Sequence, residues 1–507
     1  MNIANTHFDD DPMSSLANKI STIRIDDQQE ERNKEPDVVS SCTIPTIEQS
    51  QEKDDHEEPN HESAQYIQGD RREPKGLRVL SWLDVCPIGD RIEKIAEASY
   101  AEVYRITNER GTSIIKVIRL DSPIKPKTKA QIKSGLVDEE PHCEDDLIGE
   151  LKISEWLADI PGFVVYKERY LIQGKTTPAL LETHQSFHKK MKRQDPDRIQ
   201  FYPSPSRYLD DTKFLVVELG DAGIPLEDVA LQSTDHLWDI FLNVAVALAR
   251  AEDQINFEVS SMLIITQMIV TYCQQHRDLH EGNLCIRQVA PPRQRAKSSS
   301  ACQFGYSGLD ITILDYGLSR AQDLVQDEED KPIAFDLEKD LSLFTSNHAA
   351  QCKVYRQMRS FLLTGDRIHL PPDQHNKPYE IGINGRISWE QYNPYTNVLW
   401  LAYLYQYLTK YFGGDKADLM RFKKLTKEMW THLNPEAPPE ILSFSSAFDI
   451  VRFAVDAGWI TEHQLMGDKS ELQDADCDES CNASIIEVPL NDEEPHLRRS
   501  PRRRIRP

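Results

Sequence analysis

Two stretches of sequence decide the fold of this chain: His276-Arg277-Asp278-Leu279-His280-Glu281-Gly282-Asn283 and, further along, Asp315-Tyr316-Gly317. Phosphoryl transfer requires a carboxylate at the attacking hydroxyl group and oxygen ligands that hold magnesium against the phosphates. Asp278 suits the first role, and Asn283 and Asp315 suit the second. Taken singly, each short motif is also common as an ordinary turn or surface triplet.

The order of the two motifs and the apolar runs beside them favour the functional interpretation. Leu284-Cys285-Ile286 follows the first motif, and Ile311-Thr312-Ile313-Leu314 leads into the second, as expected of strands that flank a cleft. Motifs in this order are typical of the catalytic loop and the metal-binding loop of a kinase. The sequence therefore predicts a phosphoryl-transfer enzyme.

Length and composition limit the remaining possibilities. With 507 residues and 39% hydrophobic content, the chain is long enough for one large two-lobed domain or two to three ordinary domains, plus tails. The formal net charge of -24 argues against nonspecific nucleic-acid binding and favours a basic partner, although acidic tails that only maintain solubility explain part of the charge. Nine cysteines with almost no paired spacing indicate neither a disulfide framework nor a zinc site.

The two ends of the chain differ in composition from its middle. Residues 1–75 are acidic and polar, which predicts disorder and shows no secretory signal. Residues 465–507 are polar again and contain an arginine-rich stretch at 498–504, which is either a nuclear-localisation or nucleosome-contact patch or a solvated end. The longest apolar run, residues 262–273, is far shorter than the roughly 20 residues of a membrane span. A cytosolic or nuclear protein without membrane attachment is expected.

The first half of the ordered region has strand periodicity. Residues 92–95, 103–106 and 113–118, with a turn at 108–111, predict an antiparallel β-meander. Lys116 lies inside the last strand, where a lysine is unfavourable unless its ammonium meets an anion or a carboxylate. Residues 146–159 have helical spacing, and Glu150 on that helix is the natural partner. The alternative is that both side chains face solvent.

The second half is predicted to be helical. Residues 214–218 form another buried strand, and residues 220–223 form a flexible connection whose backbone groups could bind the edge of an adenine. Residues 235–257 form a long amphipathic helix, and residues 394–404 and 447–459 supply further helices.

Several segments of the chain carry a specific resemblance to the haspin family of atypical eukaryotic protein kinases, in its fungal-type form. The resemblance covers roughly residues 76–464. It is carried by residues 276–280 with 282–283, residues 315–320, residues 340–345, Tyr355-Arg356 and residues 394–401. Several of these pieces are absent from ordinary kinases.

The resemblance implies an α+β, bilobal protein-kinase fold without the usual Ala-Pro-Glu segment. The N-lobe would be β-rich and span residues 76–219, and the C-lobe would be mainly helical and span residues 220–464. ATP and Mg²⁺ would be the cofactors. The substrate would be a threonine near the start of the histone H3 tail, phosphorylated in mitosis by a monomer on chromatin in the nucleus, with the cytoplasm as a further location. No sequence-specific nucleic-acid binding is expected.

The resemblance also assigns roles to single residues. Lys116 would hold the α and β phosphates of ATP and pair with Glu150. Asp278 would orient the threonine hydroxyl and accept its proton. His280 stands where most kinases have a lysine that contacts the γ phosphate. The magnesium ligands are again Asn283 and Asp315, and the other nucleotide-binding positions are Ala96, Ala98, Ala101, Val103, Glu218, Leu219, Gly220 and Asp221.

The phosphate loop departs from the pattern Gly-x-Gly-x-x-Gly-x-Val, since Ala96, Ala98 and Ala101 replace all three glycines. Each alanine loses easy access to positive φ and adds a methyl group where the chain approaches phosphate. We expect weaker ATP affinity in a loop that still closes over the nucleotide.

Three further segments depart from the family. In haspins Phe-Glu runs almost directly into His-Arg-Asp, whereas here residues 259–275 follow Phe257-Glu258 and are largely apolar. Such a segment would displace Asp278 or bulge into solvent with an exposed apolar face, and our hypothesis is a retained intron or gene-model error. Residues 346–350 lack the carboxylates that help haspins hold a basic histone tail. Residues 361–388 are also extra relative to the family pattern, and we expect them to form a surface loop.

Three functions remain open at this point. An active serine/threonine-protein kinase is favoured because all five residues of the chemistry are present: Lys116, Glu150, Asp278, Asn283 and Asp315. A catalytically impaired, haspin-like pseudokinase that serves as a chromatin scaffold is the alternative. A non-kinase acidic module that binds histones would require the motifs to be coincidental.

Overall fold

The computed structural model describes residues 77–98, 100–142, 144–198, 200–252, 274–295, 301–322, 331–347 and 349–466. The predictions for residues 1–75, 259–273 and 467–507 lie outside the described residues. The chain divides into two units, Met1–Ile460 and Thr461–Pro507. Among the helices of the described ranges, none is both long enough and apolar enough to span a membrane.

A six-stranded sheet organises the N-terminal part of the first unit. Its strands are β1 (Val79–Leu80), β2 (Arg91–Glu97), β3 (Glu102–Asn108), β4 (Gly111–Arg119), β5 (Tyr166–Gln173) and β6 (Lys213–Gly220). Their order in the sheet is β1-β5-β6-β4-β3-β2, in which β1 and β5 are parallel and the other neighbours are antiparallel. The helices of this part are α1 (Trp82–Val85), α2 (Lys129–Lys133), α3 (Glu144–Leu157) and α4 (Pro178–Gln194), with a 3-10 turn at Pro205–Arg207.

The alternation of side chains along β4 determines which residues face the cleft. Ile115 packs with Trp82 in one buried cluster, whereas Ile118 packs with Leu151 of α3 in another. Successive side chains of a strand point to opposite faces, so Lys116 shares the face of Ile118. The strand pattern therefore directs the lysine toward α3.

The remainder of the first unit is mainly helical. Its strands are short: β7 (Ile224–Pro225), β8 (Leu284–Gln288), β9 (Leu309–Ile313), β10 (Arg320–Ala321), β11 (Ile333–Ala334), β12 (Ile381–Gly382) and β13 (Gly385–Arg386). The helices are α5 (Thr234–Glu252), α6 (Ser342–Thr345), α7 (Gln351–Thr364), α8 (Tyr395–Lys410), α9 (Lys416–Leu425), α10 (Lys427–Leu433) and α11 (Ala447–Asp456). Short 3-10 turns lie at Leu226–Asp228, Glu281–Asn283, Leu337–Lys339 and Pro372–His375, and α12 (Glu462–Met466) belongs to the second unit.

Helix α5 lies at the centre of this helical part. The Trp238 ring centroid is 4.8 Å from that of Phe422 on α9 and 4.9 Å from that of Trp459, just after α11. Most side chains of α5 are buried, as expected of a helix packed on several sides. Strands β8 and β9, which flank the two motifs, are present as predicted, and the structure shows that they pair antiparallel.

The architecture confirms the predicted α+β fold with a β-rich N-lobe and a mainly helical C-lobe. The predicted strands and helices are present, with ends that differ by a few residues, whereas the predicted helix at 235–257 is described only to Glu252. The lobe boundary after residue 219 remains a prediction.

The expectation that residues 361–388 form a surface loop is wrong in part. Helix α7 continues to Thr364, where Gly365 ends it with φ +69°. His375 is fully buried, and its carbonyl accepts a hydrogen bond of 3.1 Å from Arg359. A buried guanidinium requires several acceptors, and this segment supplies two of them, the carbonyls of His375 and Lys377.

Gly162 joins the two parts of the first unit through a close approach to α5. Its carbonyl accepts a hydrogen bond of 2.8 Å from Ile313 of β9. Gly162 has φ +103°, and a Cβ there would lie 2.5 Å from the Cβ of Ala247. Gly174 has a similar φ of +123°, but a Cβ there would meet nothing within 4 Å.

We therefore expect Gly162→Ala to lower the thermal unfolding midpoint much more than Gly174→Ala does. Both substitutions place alanine at positive φ, at a cost of roughly 1–2 kcal/mol, but only the first also overpacks the contact with α5, by about 1–3 kcal/mol more. Thermal unfolding followed by circular dichroism measures the difference, and equal losses would contradict the close contact.

Candidate active site

A cavity of about 280 Å³ lies between the sheet and the helical part. Its walls include apolar side chains such as Ile95, Val103, Ile114 and Val217, which suit the faces of a planar base. Of the residues predicted from sequence, the cavity is lined by Ala96, Ala98, Val103, Lys116, Glu150, Leu219, Gly220, Asp221, Asn283 and Asp315. Ala101, Glu218, Asp278 and His280 are not among the lining residues.

Lys116 and Glu150 form an ion pair in the cavity. Lys116 Nζ lies 2.7 Å from Glu150 Oε1, and the two side chains are 13% and 17% exposed. Burial lowers the pKa of Lys116, which the Asp315 carboxylate partly counteracts, while burial and Asp315 raise the pKa of Glu150. Both charges are largely removed from water, so the contact between the two side chains must compensate for the lost hydration.

Tyr100 covers this ion pair and was not predicted from sequence. Its hydroxyl accepts a hydrogen bond of 2.9 Å from Lys116 Nζ and contacts Glu150 Oε2. The ammonium also lies 4.5 Å from the centroid of the tyrosine ring, a cation–π distance. The available signal was an aromatic residue between the last two alanines of the predicted phosphate loop.

The phosphate loop tolerates alanine because its backbone does not require glycine. Ala98 N–H donates a hydrogen bond of 2.8 Å to the Ala101 carbonyl, which closes a tight turn. Ala96, Ala98 and Ala101 all have negative φ, because none of the three is among the described non-glycine residues with positive φ. Ala101 is fully buried in the cluster that contains Leu151, so its methyl group does not face a phosphate. The expected steric penalty is therefore wrong for Ala101.

Only some of the residues predicted to bind the nucleotide at the connection between the lobes line the cavity. Leu219, Gly220 and Asp221 line the cavity. The Glu218 carboxylate instead accepts a hydrogen bond of 2.7 Å from the Ser113 hydroxyl. Gly220 N–H donates to the Val165 carbonyl at 2.8 Å, so this amide is already engaged within the protein.

Asp278 is held by three neighbours in the catalytic loop and on α7. Asn283 Nδ2 donates to the Asp278 carbonyl at 2.8 Å, and the Tyr355 hydroxyl donates to Asp278 Oδ1. His280 Nε2 lies 3.9 Å from Asp278 Oδ1. Burial raises the pKa of Asp278 to about 6, although His280 and the Tyr355 hydrogen bond favour the carboxylate. Tyr355 belongs to the segments that carry the family resemblance, but the sequence does not indicate its contact with Asp278.

His276 joins the catalytic loop to the Asp315 loop. Its Nε2 lies 2.8 Å from the Leu314 carbonyl, and its Nδ1 accepts the Asp278 N–H at 3.3 Å. Burial lowers the pKa of His276 to about 4, so the ring is neutral at pH 7 and donates through Nε2. The two motifs are therefore fixed relative to each other through one imidazole.

Asn283 and Asp315 retain oxygen atoms suited to magnesium. The Asn283 amide nitrogen is used on the Asp278 carbonyl, which leaves its oxygen for a cation. Asp315 Oδ1 accepts the Gly317 N–H at 3.1 Å, and Oδ2 remains. Burial would raise the pKa of Asp315, but chiefly Lys116 brings it below the ordinary value. One or two protein oxygens completed by phosphates are typical of Mg²⁺ sites, and the described residues contain no cluster of three or more His, Cys, Asp or Glu side chains that could hold a metal.

Asp278 is not displaced by the residues that precede the catalytic loop. Gln274 N–H donates to the Ala251 carbonyl at 2.9 Å, so the chain resumes beside the end of α5. The first of the two expected outcomes, displacement of Asp278, is thus not observed. The second, an exposed apolar bulge, concerns residues outside the described ranges.

Gln274 and Gln275 nevertheless occupy buried positions that suit them poorly. Both are fully buried. Both amide atoms of Gln274, Nε2 of Gln275 and Nη1 of Arg277 lack a hydrogen-bond partner within the described part of the chain. Gln275 Oε1 accepts from Arg277 Nε at 3.1 Å and Nη2 at 2.7 Å. Burial and the Arg320 guanidinium lower the pKa of Arg277 to about 9. A carboxylate at position 275 would therefore suit Arg277 better than the amide of Gln275 does.

We therefore expect Gln275→Glu to raise the thermal unfolding midpoint at pH 7. A carboxylate of the same shape would accept both Arg277 bonds as charge-assisted bonds of roughly 1.5–3 kcal/mol each and would remove one unpaired buried amide nitrogen. The exposed Gln406→Glu on α8 is the control and should change the midpoint little. A lower midpoint for Gln275→Glu would show that the guanidinium is satisfied in another way.

The site belongs to a protein whose relatives are recognisable from sequence. Residues 14–449 match the model of the haspin-like kinase domain. The chain is 26% identical over 374 residues to the serine/threonine-protein kinase haspin of Mus musculus, covering 71% of this chain and 41% of the mouse protein. It is 25% identical over 354 residues to the haspin homolog of Schizosaccharomyces pombe, covering 65% of this chain and 58% of that protein.

A third relative is the haspin homolog of Arabidopsis thaliana, 25% identical over 351 residues that cover 67% of this chain and 48% of that protein. The chain thus spans about half the length of the curated relatives it matches. The family match extends over most of the chain and includes both motifs and every residue of the cavity. This chain belongs to the haspin-like kinase family.

Proposed function

We propose that this chain is a serine/threonine-protein kinase that transfers the γ-phosphoryl group of ATP to a threonine near the N-terminus of histone H3 in mitosis. The observation that carries the proposal is the meeting of the Lys116–Glu150 pair with Asn283 and Asp315 at one cavity. The curated relatives are named serine/threonine-protein kinases.

In this mechanism the chain's side chains position the phosphates and the hydroxyl. Lys116, which lines the cavity, contacts the α and β phosphates. Asn283 and Asp315 would hold Mg²⁺, which would supply positive charge against the phosphates when bound. Glu150 keeps Lys116 directed into the cavity through the 2.7 Å contact.

Asp278 handles the proton of the acceptor hydroxyl. The threonine oxygen forms a bond to the γ phosphorus, the bond to the bridging β–γ oxygen breaks, and the hydroxyl proton passes to Asp278. A pKa of about 6 leaves Asp278 ionised at pH 7 and still basic enough to accept a proton. In this proposal His280, whose Nε2 lies 3.9 Å from Asp278 Oδ1, would contact the transferred phosphoryl group.

A basic substrate is consistent with the charge beside the catalytic loop. The pKa of Glu227 is raised by burial, Asp228 and Glu281, so these carboxylates lie close together. The Tyr403 hydroxyl donates to Glu281 at 2.6 Å and holds it in place. These side chains could partly replace the acidic stretch missing at residues 346–350. Action on chromatin in the nucleus fits a histone substrate and is part of the proposal, as are a monomeric state and a further cytoplasmic location.

We expect Asp278→Asn to reduce phosphorylation of a histone H3 N-terminal peptide by at least about a hundredfold, since an amide cannot accept the proton. Transfer of labelled phosphate from Mg-ATP measures the loss, and chelation of Mg²⁺ should abolish transfer. Asp310→Asn changes an exposed aspartate paired with Arg287 and should leave the rate unchanged. A peptide with alanine at the acceptor threonine should not be labelled.

The same assay separates the alternatives. A chain that binds Mg-ATP without transferring phosphate would be the catalytically impaired scaffold, for which the contact of Tyr100 with the ion pair is the favouring observation. Histone binding that is indifferent to ATP and to Lys116→Ala would indicate the acidic binding module.

We expect a chain without residues 259–275 to unfold at a higher temperature and to phosphorylate the peptide faster than the full chain. The deletion joins Phe257-Glu258 to His276, which places an apolar ring and a carboxylate where Gln274 and Gln275 stand. The ring needs no hydrogen bonds, and the carboxylate pairs with Arg277. Thermal unfolding and the kinase assay measure both effects.

The matched control is the shortened chain with Glu258→Gln, which should lose much of the gain in stability. A shortened chain that is inactive or less stable than the full chain would contradict the retained-intron hypothesis. A mature transcript that encodes residues 260–274 would also refute it.

A further inference from the structure

A cluster of buried charged side chains lies beside the phosphate loop but outside the nucleotide cavity. It consists of Lys94, Glu97, Glu102, His184 and His188, whose side chains are between 0% and 18% exposed. None of the five lines the cavity. The proposed chemistry does not use them, so their burial needs another explanation.

The two glutamates form the base of the loop. Glu97 ends β2, Glu102 begins β3, and the two residues are directly paired across the strands. Like charges at opposed positions destabilise a sheet unless a cation lies between them. Lys94 Nζ provides that cation, because it lies 2.8 Å from Glu97 Oε1 and also donates to Glu102 Oε1. Lys94 therefore fixes both ends of the loop at once.

Helix α4 holds the same two glutamates from the other side. His184 Nδ1 lies 3.3 Å from Glu102 Oε1, and His188 Nε2 lies 3.4 Å from Glu97 Oε1. The two histidines are one helical turn apart and so share a face of α4. Arg198, which follows the helix, donates to Glu97 Oε2 at 2.7 Å. Burial acts to raise the pKa of Glu97, but chiefly Lys94 brings it below the ordinary value. Burial lowers the pKa of His188 to about 4, so this ring packs against Glu97 as a neutral group at pH 7.

Helix α4 has its own local signals and does not depend on the loop to form. The Thr177 side chain caps its N-terminus by accepting the Leu180 N–H at 3.3 Å, and Pro178 occupies the first turn. Lys192 and Arg193 lie in the last turn, where positive charge is favourable. The helix is therefore a stable support.

The loop backbone is held by a further residue, Tyr202, which follows α4 in the chain. The Tyr202 hydroxyl donates a hydrogen bond of 2.7 Å to the Ala98 carbonyl. Ala98 N–H is used on the Ala101 carbonyl, so both polar backbone groups of Ala98 are engaged. Tyr202 is buried, and Lys94 Nζ lies 5.4 Å from its ring centroid, so the tyrosine also belongs to the cluster.

We propose that α4 and Tyr202 hold the phosphate loop in its nucleotide-binding shape, with Glu97 and Tyr202 as positioning residues for the phosphates. A glycine loop loses much backbone freedom when it closes on a nucleotide. Here alanine limits that freedom and the anchors order the ends of the loop beforehand, so less entropy is lost on binding. This inference rests on the proposed function, since it requires that the cavity bind a nucleotide.

The test compares ligands with and without phosphates. Titration calorimetry measures the affinities of the full chain for ATP and ADP, each with Mg²⁺, and for adenosine. Tyr202→Phe removes only the hydroxyl that holds Ala98. We expect it to weaken ATP and ADP binding about fivefold, the effect of one hydrogen bond, and to leave adenosine binding unchanged. In the kinase assay, KM for ATP should rise by the same factor while kcat stays within about twofold.

The control is Tyr166→Phe, the same change on β5, where the hydroxyl donates to Glu155 at 3.0 Å away from the loop. It should change none of the three affinities. Glu97→Gln is the second variant, and it should also weaken only the phosphate-bearing ligands, because it loosens Lys94, His188 and Arg198 together. Thermal unfolding shows whether each variant is folded at the titration temperature.

Equal losses of affinity for adenosine and ADP would overturn the inference, since they would indicate a general loosening of the N-lobe. Unchanged ATP affinity in both folded variants would overturn it as well. A wild-type chain that binds none of the three ligands would overturn the proposed function and this inference with it. Selective loss in Tyr202→Phe alone is sufficient support.

Discussion

The contact between Lys116 and Glu150 is the interaction on which the candidate site depends. Two charges removed from water are favourable only if they meet in good geometry, and here they meet at 2.7 Å. That distance requires β4 to keep its register in the sheet and α3 to pack its apolar side on the same face. Ile118 and Leu151 provide that packing, so the apolar pattern of the N-lobe determines where the polar pair lies.

The residues that carry the proposed chemistry could be predicted because their motifs are local. Asp278 and Asn283 lie within one loop, and Asp315 follows a strand that periodicity reveals. The neighbours that tune them could not be predicted in the same way. Tyr355 reaches Asp278 from α7, and a contact between residues so far apart in sequence depends on how helices pack. Helix α4 was likewise not predicted, although Thr177-Pro178 is a recognisable start signal.

The phosphate loop shows how a local rule can fail for a tertiary reason. Glycine is expected there because a phosphate loop needs freedom of φ and close approach to its ligand. In this chain Ala101 faces the core and not the cavity, and the backbone of Ala98 is held by two hydrogen bonds. Side chains outside the cavity thus determine which backbone the loop adopts, and that backbone accepts alanine.

Arg277 places the strictest demand on the residues that precede the catalytic loop. It is buried at φ +62°, with its guanidinium 5.3 Å from the Trp389 ring centroid. A buried guanidinium needs acceptors for five N–H groups. Within the described ranges, its acceptors are the Trp389 carbonyl and the side-chain oxygen of Gln275.

Burial and the neighbouring Arg320 guanidinium lower the pKa of Arg277, and a neutral acceptor does not compensate its positive charge. Position 274 instead favours an apolar side chain. It is buried, and the Gln274 amide has no hydrogen-bond partner within the described residues. An apolar residue followed by an acidic one satisfies both positions. This chain contains that pair, Phe257-Glu258, just before residues 259–275, which the resemblance marks as an extra segment. The packing around the catalytic loop and the family pattern therefore favour the same shorter chain on independent grounds.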